Sequence, residues 1–411
     1  MRAEIKKSII RGKVKAPTSK SFGIRLILYS LLANVKLKNV SEPSDDIQIA
    51  IEVVKELGIS EKGEFQFISN KSELKVPSSL YFGGSATTLR MIIPILAILG
   101  GKALLDGDTS LRRRPLNAII EALKPYVTFS STNLPTVIEG KLNTDHVTIS
   151  GSESSQYISG FIYAFSLKGG GEIEIIPPVS SKSYINMTID LINSLGGRVT
   201  MKGNKIIVEE GEFMEYEGEI PGDYALSSFY AIASVVTGGE IDINNLYPIP
   251  YYEGDHSIVK ILRDMGVRTV VEDGSWSVRG AEKLRGIRIN VDDFPDLAPS
   301  IASIAPFAGS ETVIEGIKRL KTKESDRIQT ITSTLKSFSV NVESDDQKMV
   351  IYPSDVKEGH IECPNDHRIA MLAGVLSLTS GGTVSKAECV SKSNPYFWKD
   401  LIYLGANIRL E

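Results

Sequence analysis

Six short polar clusters punctuate the chain, and their side chains are of the types that bind anions and move protons. They are Pro17-Thr18-Ser19-Lys20-Ser21, Gly83-Gly84-Ser85-Ala86-Thr87, Ser152-Glu153-Ser154-Ser155-Gln156, Pro221-Gly222-Asp223, Phe294-Pro295-Asp296 and Asn365-Asp366-His367-Arg368. Serine, threonine and aspartate commonly cap helices, and capping alone accounts for Ser154 and Asp223. It does not account for Lys20, Arg25, Arg90 or Arg368 beside the same ends. Cations placed where unpaired N–H groups already carry partial positive charge describe a surface for anions. An ammonium crowded by other cations releases its proton more readily, which suits Lys20 to general acid work. Arg25 lies one helical turn after Ser21, so both can share a face.

The elements that must position these clusters repeat. Each cluster precedes a helix that is apolar nearly all round, at 24–32, 89–99, 157–167, 226–236, 297–307 and 369–378. A helix of that kind is buried. Glycine-rich corners leading into alternating strand patterns recur at steps of about 65–72 residues, too long for a common solenoid. A second series keeps the same step: amphipathic helices that end near Gly58, Gly197, Gly266 and Gly405, with Pro125 and Ser339 at the corners of two degenerate members. A small residue there is what a helix C-terminus favours. Six such units predict α/β domains whose buried helices open their N-termini at one end of each domain.

Composition narrows the function. At 411 residues the chain is long enough for two or three domains. With 42% hydrophobic and 23% charged residues, disorder is excluded as the main state. The formal net charge of −4 argues against a general nucleic-acid binder. Cys363 and Cys389 are too few and too far apart for a disulfide framework, a zinc cluster or an iron–sulfur site, and the four histidines show no metal-ligand spacing. The charged first 17 residues lack the apolar core of a signal peptide. The apolar stretch 91–99 falls well short of the roughly 20 residues that span a bilayer. A cytoplasmic protein without membrane contact is expected.

With Lys323-Glu324-Ser325-Asp326-Arg327 added, the motifs stand in an order that resembles the 5-enolpyruvylshikimate-3-phosphate synthases, an enolpyruvyl transferase family. The quoted motifs are Pro17 to Ser21 with Arg25, Gly83 to Thr87 with Arg90, Ser154-Ser155-Gln156, and Asp366-His367-Arg368-Ile369-Ala370. The resemblance runs from residue 17 to about residue 398. It implies a two-domain inside-out α/β barrel, each domain made of three βαβαββ repeats with buried helices. It further implies a discontinuous domain of residues 1–18 plus 223–411 on the phosphoenolpyruvate side, a continuous domain of residues 19–222 on the shikimate 3-phosphate side, and an active site in the cleft between them. The implied reaction transfers the enolpyruvyl group of phosphoenolpyruvate to the 5-hydroxyl of shikimate 3-phosphate and releases phosphate. That scheme needs no metal and no organic cofactor, and a monomer is expected.

Residue by residue, the resemblance makes Lys20, Asp296 and Glu324 catalytic, with Asp296 as base for the 5-hydroxyl and Glu324 in proton shuttling. Shikimate 3-phosphate would be held by Lys20, Ser21, Arg25, Ser154, Ser155, Gln156, Ser181, Tyr184, Asp296 and Lys323. Phosphoenolpyruvate would be held by Lys20, Ala86, Thr87, Arg90, Arg114, Gln156, Arg327, Arg368 and Lys392, the guanidinium forks suiting its carboxylate and phosphate. Helix capping remains open for Asp296, packing for Tyr184 read as a strand aromatic, and a plain basic loop for Arg112-Arg113-Arg114.

Two departures stand out. Gly84 and Ala86 fall where the family commonly has Asn and Gly, which removes an amide side chain and adds a methyl group. Lys392-Ser393-Asn394-Pro395 falls where the family often has Lys-Thr/Ser-Phe-Pro. The sister transferase that acts on UDP-N-acetylglucosamine typically uses a Cys or Asp on the loop equivalent to 107–115. This chain has no Cys there, with Asp106 and Asp108 near the loop's start. A non-catalytic anion binder on the same scaffold would keep the cations and lose Lys20, Asp296 and Glu324, all of which are present.

Overall fold

The structure, a computed structural model, describes residues 1–40, 42–247 and 254–411. It divides into two compact units, Lys20–Ile220 on the one hand and Met1–Ser19 with Pro221–Glu411 on the other. Among the described residues, each unit holds three four-stranded sheets.

One repeat shows how the sequence builds them all. Strand Ser79–Tyr81 leads to the buried helix Ala86–Leu99, then to strand Gly101–Asp106, which lies parallel to the first. The outer helix Asn117–Leu123 follows, and the antiparallel pair Val127–Phe129 and Thr136–Gly140 closes the sheet. This is the βαβαββ order, and helices inside sheets make each unit an inside-out α/β fold. The first repeat of the same unit draws its opening strand, Tyr216–Gly218, from the unit's far end, where it runs parallel to Val35–Leu37. In the second unit the chain's opening strands do similar work. Gly12–Lys15 runs parallel to Ile241–Asn244, and Arg2–Lys6 lies antiparallel between Gly382–Ser385 and Asn407–Leu410.

The all-round apolar helices form the cores. Every residue of His367–Ser380 from His367 to Leu378 is buried. In the other unit, helix Ser155–Lys168 crosses Ala86–Leu99 at Gly160, where an added Cβ would stand 2.6 Å from the Met91 carbonyl oxygen. Only glycine permits that approach.

Helix boundaries differ from the apolar pattern in an instructive way. Lys20–Tyr29, Ala86–Leu99, Ser155–Lys168, Tyr224–Val236 and His367–Ser380 all begin earlier than the apolar run suggests. Apolar residues mark where a helix is buried, whereas its hydrogen bonding starts in the polar cluster, so the clusters are first turns or caps. The helix expected at 297–307 is instead a 3₁₀ turn Pro295–Leu297, an α-helix Ala298–Ile304 and a second 3₁₀ turn Ala305–Phe307. Pro306 lacks the N–H needed to continue α-helical bonding. At the corners after the outer helices, Gly58, Gly196, Gly266 and Gly405 take positive φ, and Ser339 is forced into the same left-handed region at 62°.

A further expectation is overturned. Cys363 and Cys389 are joined as a disulfide, with Cα atoms 6.8 Å apart. Strands Gly359–Glu362 and Gly382–Ser385 are parallel neighbours, so residues just beyond their ends emerge side by side although 26 positions apart in sequence. Distance along the chain was the wrong measure. Among the described residues, no helix is long and apolar enough to cross a membrane.

Candidate active site

The polar first turns of each unit converge, and the two units solve the problem of buried charge differently.

In Lys20–Ile220, Lys20 opens its helix and its ammonium pairs with the Asp46 carboxylate at 2.9 Å, both side chains being buried. Asp46 is a residue that sequence reasoning missed. It sits in the acidic first turn of helix Asp45–Glu56, where aspartate is ordinary, so no local signal marked it. Arg25, one turn further along, is almost fully buried and reaches three segments. Its Nε donates to Thr188 Oγ1 at 2.8 Å, its Nη1 to the Ser21 carbonyl at 2.8 Å, and its Nη2 to the Tyr184 carbonyl at 3.1 Å and Ser159 Oγ at 3.4 Å. These acceptors are all neutral. Thr188 and Ser159 also escaped the sequence reading, being lone hydroxyls inside helices. Tyr184, expected on a strand, is in the first turn of helix Lys182–Ser194, and its ring lies 6.0 Å from the Arg25 guanidinium. Ser181, just before that helix, is held at φ 52° and is buried.

The second and third buried helices of this unit meet through a short relay. Gln156 donates from Nε2 to Thr87 Oγ1 at 2.8 Å, while Arg90 donates from Nη1 to Gln156 Oε1 at 3.2 Å and Ser154 Oγ at 3.5 Å. Ser154 also caps its helix by accepting from the Gln156 N–H. It is thus both a cap and a guanidinium contact. Ser155 is buried in the first turn of that helix, and Ala86 is buried at the start of its own. The Arg90 guanidinium stands 5.6 Å from the Tyr157 ring, and its buried Nε has no hydrogen-bond partner among the described residues. In the basic loop the three arginines separate by role. Arg112 pairs with Asp106 at the surface, whereas Arg114 is buried.

In the other unit, carboxylates surround the cations. Arg327, fully buried at the start of helix Arg327–Ser337, donates to three of them. Its Nε and Nη2 fork onto Asp366 at 2.8 and 3.2 Å, Nη2 also reaches Glu324 at 2.8 Å, and Nη1 reaches Asp296 at 2.8 Å. Asp296 accepts further from Lys323 at 3.2 Å and Arg368 at 3.5 Å. It makes no helix cap, so that alternative is excluded: helix Ala298–Ile304 has no side-chain cap. Burial alone would raise the Asp296 carboxyl, but Lys323, Arg368 and Arg327 together hold it well below the ordinary carboxylate range. Lys323 is brought down to about 8, mainly by burial and helped by the Arg327 and Arg319 charges, with Asp296 pulling the other way. Burial also opposes the Arg327 charge, and Asp366, Glu324 and Asp296 overcome it.

Asp366, also missed as a site residue, caps the Arg368 helix and accepts from Ser325 Oγ at 3.0 Å. It stands in the Asp-His-Arg string, where nothing local marks its pairing with Arg327, 39 residues away. Arg368 keeps two buried donors, Nε and Nη1, without partners among the described residues. Lys392 ends the 3₁₀ helix Ala387–Lys392 and is buried. Among the described residues, no group of three or more His, Cys, Asp or Glu could hold a metal ion.

A family model described as EPSP synthase (3-phosphoshikimate 1-carboxyvinyltransferase) matches residues 5–401. A 3-phosphoshikimate 1-carboxyvinyltransferase of Sulfurisphaera tokodaii is 64% identical over 408 residues, covering 99% of each chain. One from Saccharolobus solfataricus is 47% identical over 418 residues, covering 100% of each. The chain belongs to the EPSP synthase family. Its fold is also similar to that of an EPSP synthase from Acinetobacter baumannii, with TM-score 0.79, 22% identity and 100% coverage of both chains. Enzymes of this family take phosphoenolpyruvate and shikimate 3-phosphate, each carrying a phosphate and a carboxylate. Buried guanidiniums with donors to spare suit that load of anions.

Proposed function

We propose that the two clusters act on one substrate pair, catalysing the enolpyruvyl transfer of the family in the shikimate pathway of aromatic amino-acid biosynthesis. Shikimate 3-phosphate is assigned to the cluster of Lys20–Ile220, with Lys20, Ser21, Arg25, Ser154, Ser155, Gln156, Ser181 and Tyr184, joined by Asp296 and Lys323. Phosphoenolpyruvate is assigned to Arg327, Arg368 and Lys392, joined by Lys20, Ala86, Thr87, Arg90, Arg114 and Gln156.

The 5-hydroxyl oxygen bonds to C2 of phosphoenolpyruvate while its proton passes to Asp296, and C3 takes a proton from the Lys20 ammonium. The tetrahedral adduct next expels phosphate with its bonding electron pair. A proton leaves the new methyl group for the neutral Lys20 amine, which restores the double bond as an enol ether. Asp46 holds Lys20 in place, and Glu324, which here accepts from Arg327, serves the proton relay beside Asp296.

The observation that best supports this reading is the carboxylate Asp296 gripped by three cations. It is ionised and ready to accept, but the grip makes it a weak base. Substrate anions that draw Arg327, Arg368 and Lys323 toward themselves loosen that grip, so the base strengthens only when the substrates are bound.

The test is phosphate release from phosphoenolpyruvate by the purified protein without added metal, with shikimate 3-phosphate or UDP-N-acetylglucosamine supplied in parallel. Release with shikimate 3-phosphate alone is expected. Release with the UDP-sugar alone would move the acceptor to the sister reaction, and binding of phosphoenolpyruvate without release would leave an anion binder. A cytoplasmic monomer completes the proposal, since both substrates are phosphorylated acids that do not cross a bilayer unaided. Sedimentation analysis of the pure enzyme checks the oligomeric part.

A further inference from the structure

The residue after next beyond Lys392 is Asn394, which is 2% exposed. A polar amide buried to that degree needs partners, and it has them on every side. Its Nδ2 donates to the Tyr230 hydroxyl at 2.7 Å, and the Tyr230 hydroxyl donates to Asp400 Oδ2 at 2.6 Å. Its own N–H donates to the Val390 carbonyl at 2.8 Å, its carbonyl accepts from the Phe397 N–H, and its Oδ1 accepts from the Tyr396 N–H at 3.2 Å. Tyr230 belongs to the central buried helix Tyr224–Val236 and stacks on Phe397, whereas Asp400 belongs to the outer helix Phe397–Tyr403. The chain Asn394–Tyr230–Asp400 therefore ties the segment carrying Lys392 to two separate helices.

The other side of the same segment is also tied. Cys389 lies in the 3₁₀ helix that ends at Lys392 and is bonded to Cys363, three residues before Asp366. Trp398 donates from Nε1 to the Ala387 carbonyl at 2.9 Å at the start of that helix. With its near end fixed covalently, the direction in which the Lys392 side chain leaves the turn depends on what holds the far end. That hold is Asn394.

We propose that Asn394, acting through Tyr230 and Asp400, is a positioning residue that sets the Lys392 ammonium for phosphoenolpyruvate. In this chain a buried hydrogen-bond relay stands where an aromatic ring is common in the family, so orientation comes from directional polar contacts. The proposal rests on the assignment of Lys392 to phosphoenolpyruvate, and its test keeps the two apart.

The full-length enzyme is compared with its Asn394→Ala, Tyr230→Phe and Lys392→Ala variants and with the double variant Asn394→Ala/Tyr230→Phe. KM is measured for each substrate, together with kcat and Tm. Lys392→Ala raises KM for phosphoenolpyruvate. Asn394→Ala and Tyr230→Phe each raise that same KM by about three- to tenfold, the scale of one lost buried hydrogen bond, and leave KM for shikimate 3-phosphate unchanged. The double variant is no worse than the worse single one, because both break the same relay. A lowered Tm with an unchanged KM for phosphoenolpyruvate would show a purely structural relay and overturn the proposal, as would equal rises in both KM values. Tyr230→Phe, which removes a single oxygen, keeps the test valid if Asn394→Ala fails to fold. Should Lys392→Ala leave KM for phosphoenolpyruvate unchanged, the assignment of Lys392 itself falls, and the positioning role falls with it.

Discussion

The two clusters of buried charge differ in what holds their arginines. In Lys20–Ile220, the named contacts of Arg25 and Arg90 are hydroxyls, backbone carbonyls and an amide, all neutral. In the other unit, Arg327 sits among three carboxylates and Arg368 leans on one of them. Neutral acceptors orient a guanidinium without cancelling its charge, which suits a site that must attract an anion from water. A carboxylate cage cancels the charge and keeps the proposed base, Asp296, in a weakened state. One cluster is built to bind and the other to respond.

The largest expected effect separates the two directly. Arg327→Met leaves Asp296, Glu324 and Asp366 buried without their shared cation. Stripping one partner from a buried pair costs about 3–5 kcal/mol, so a large drop in Tm accompanies loss of activity. Arg25→Met strips the donor from the neutral acceptors Thr188, Ser159 and the Ser21 and Tyr184 carbonyls, at about 1–3 kcal/mol. Thermal denaturation should rank the two in that order, while KM for shikimate 3-phosphate rises in the Arg25 variant. Equal losses of stability would break the comparison.

Next comes Lys20. Lys20→Ala removes the proposed proton donor and lowers kcat by about 10²–10⁴-fold. Asp46→Asn, which keeps the shape of the partner but not its charge, lowers kcat less, as steady-state assays of the two variants will show. The responsive character of the second cluster can be read from pH. Lys323, brought down to about 8, loses its charge as pH rises through that value, so KM for shikimate 3-phosphate climbs above it. In Lys323→Arg the climb moves out of the measurable range. A profile flat to pH 10 in the parent enzyme would remove Lys323 from the phosphate site.

Two smaller effects sharpen the picture. Ala86→Gly takes away the methyl group at the start of its helix and strengthens inhibition by glyphosate, a slightly longer competitor of phosphoenolpyruvate. An unchanged inhibition constant would mean that the methyl group does not face the phosphoenolpyruvate pocket. The smallest concerns Asp400, raised by burial from 3.8 to about 6 against the pull of the Tyr230 hydrogen bond. The folded chain holds this proton more tightly than the unfolded one. Its contribution to stability is therefore full below about 3.8 and is lost as pH rises through about 6. Asp400→Asn flattens that part of the Tm profile.

Much of the fold could be read from residues that act locally. Helices apolar on all sides announce burial, and glycines at regular intervals announce corners, because each property belongs to a few adjacent residues. The same holds for the helix-start cations Lys20, Arg25, Arg90 and Arg368. What stayed hidden was partnership. Arg327 and Asp366 are 39 residues apart, and only the folded repeat brings them together. Asp46 looked like any acidic residue in a first turn, and the two cysteines looked solitary because parallel strands carry distant residues to a common end. The 3₁₀ turns around Ala298–Ile304 were concealed by an apolar run that ignores whether a proline can continue the helix.

The opening strand of the chain carries a last consequence. Arg2–Lys6 takes its place between Gly382–Ser385 and Asn407–Leu410, and the Arg2 N–H donates to the Glu411 carbonyl at 2.8 Å. In the order of the chain, strand Arg2–Lys6 must wait for Gly382–Ser385 and Asn407–Leu410 before it can pair, by which time Lys20–Ile220 is complete. Because the first and last strands end side by side, a circular permutant that joins them and opens the chain between Ser19 and Lys20 would make both units contiguous. Such a molecule would fold during synthesis without the long wait.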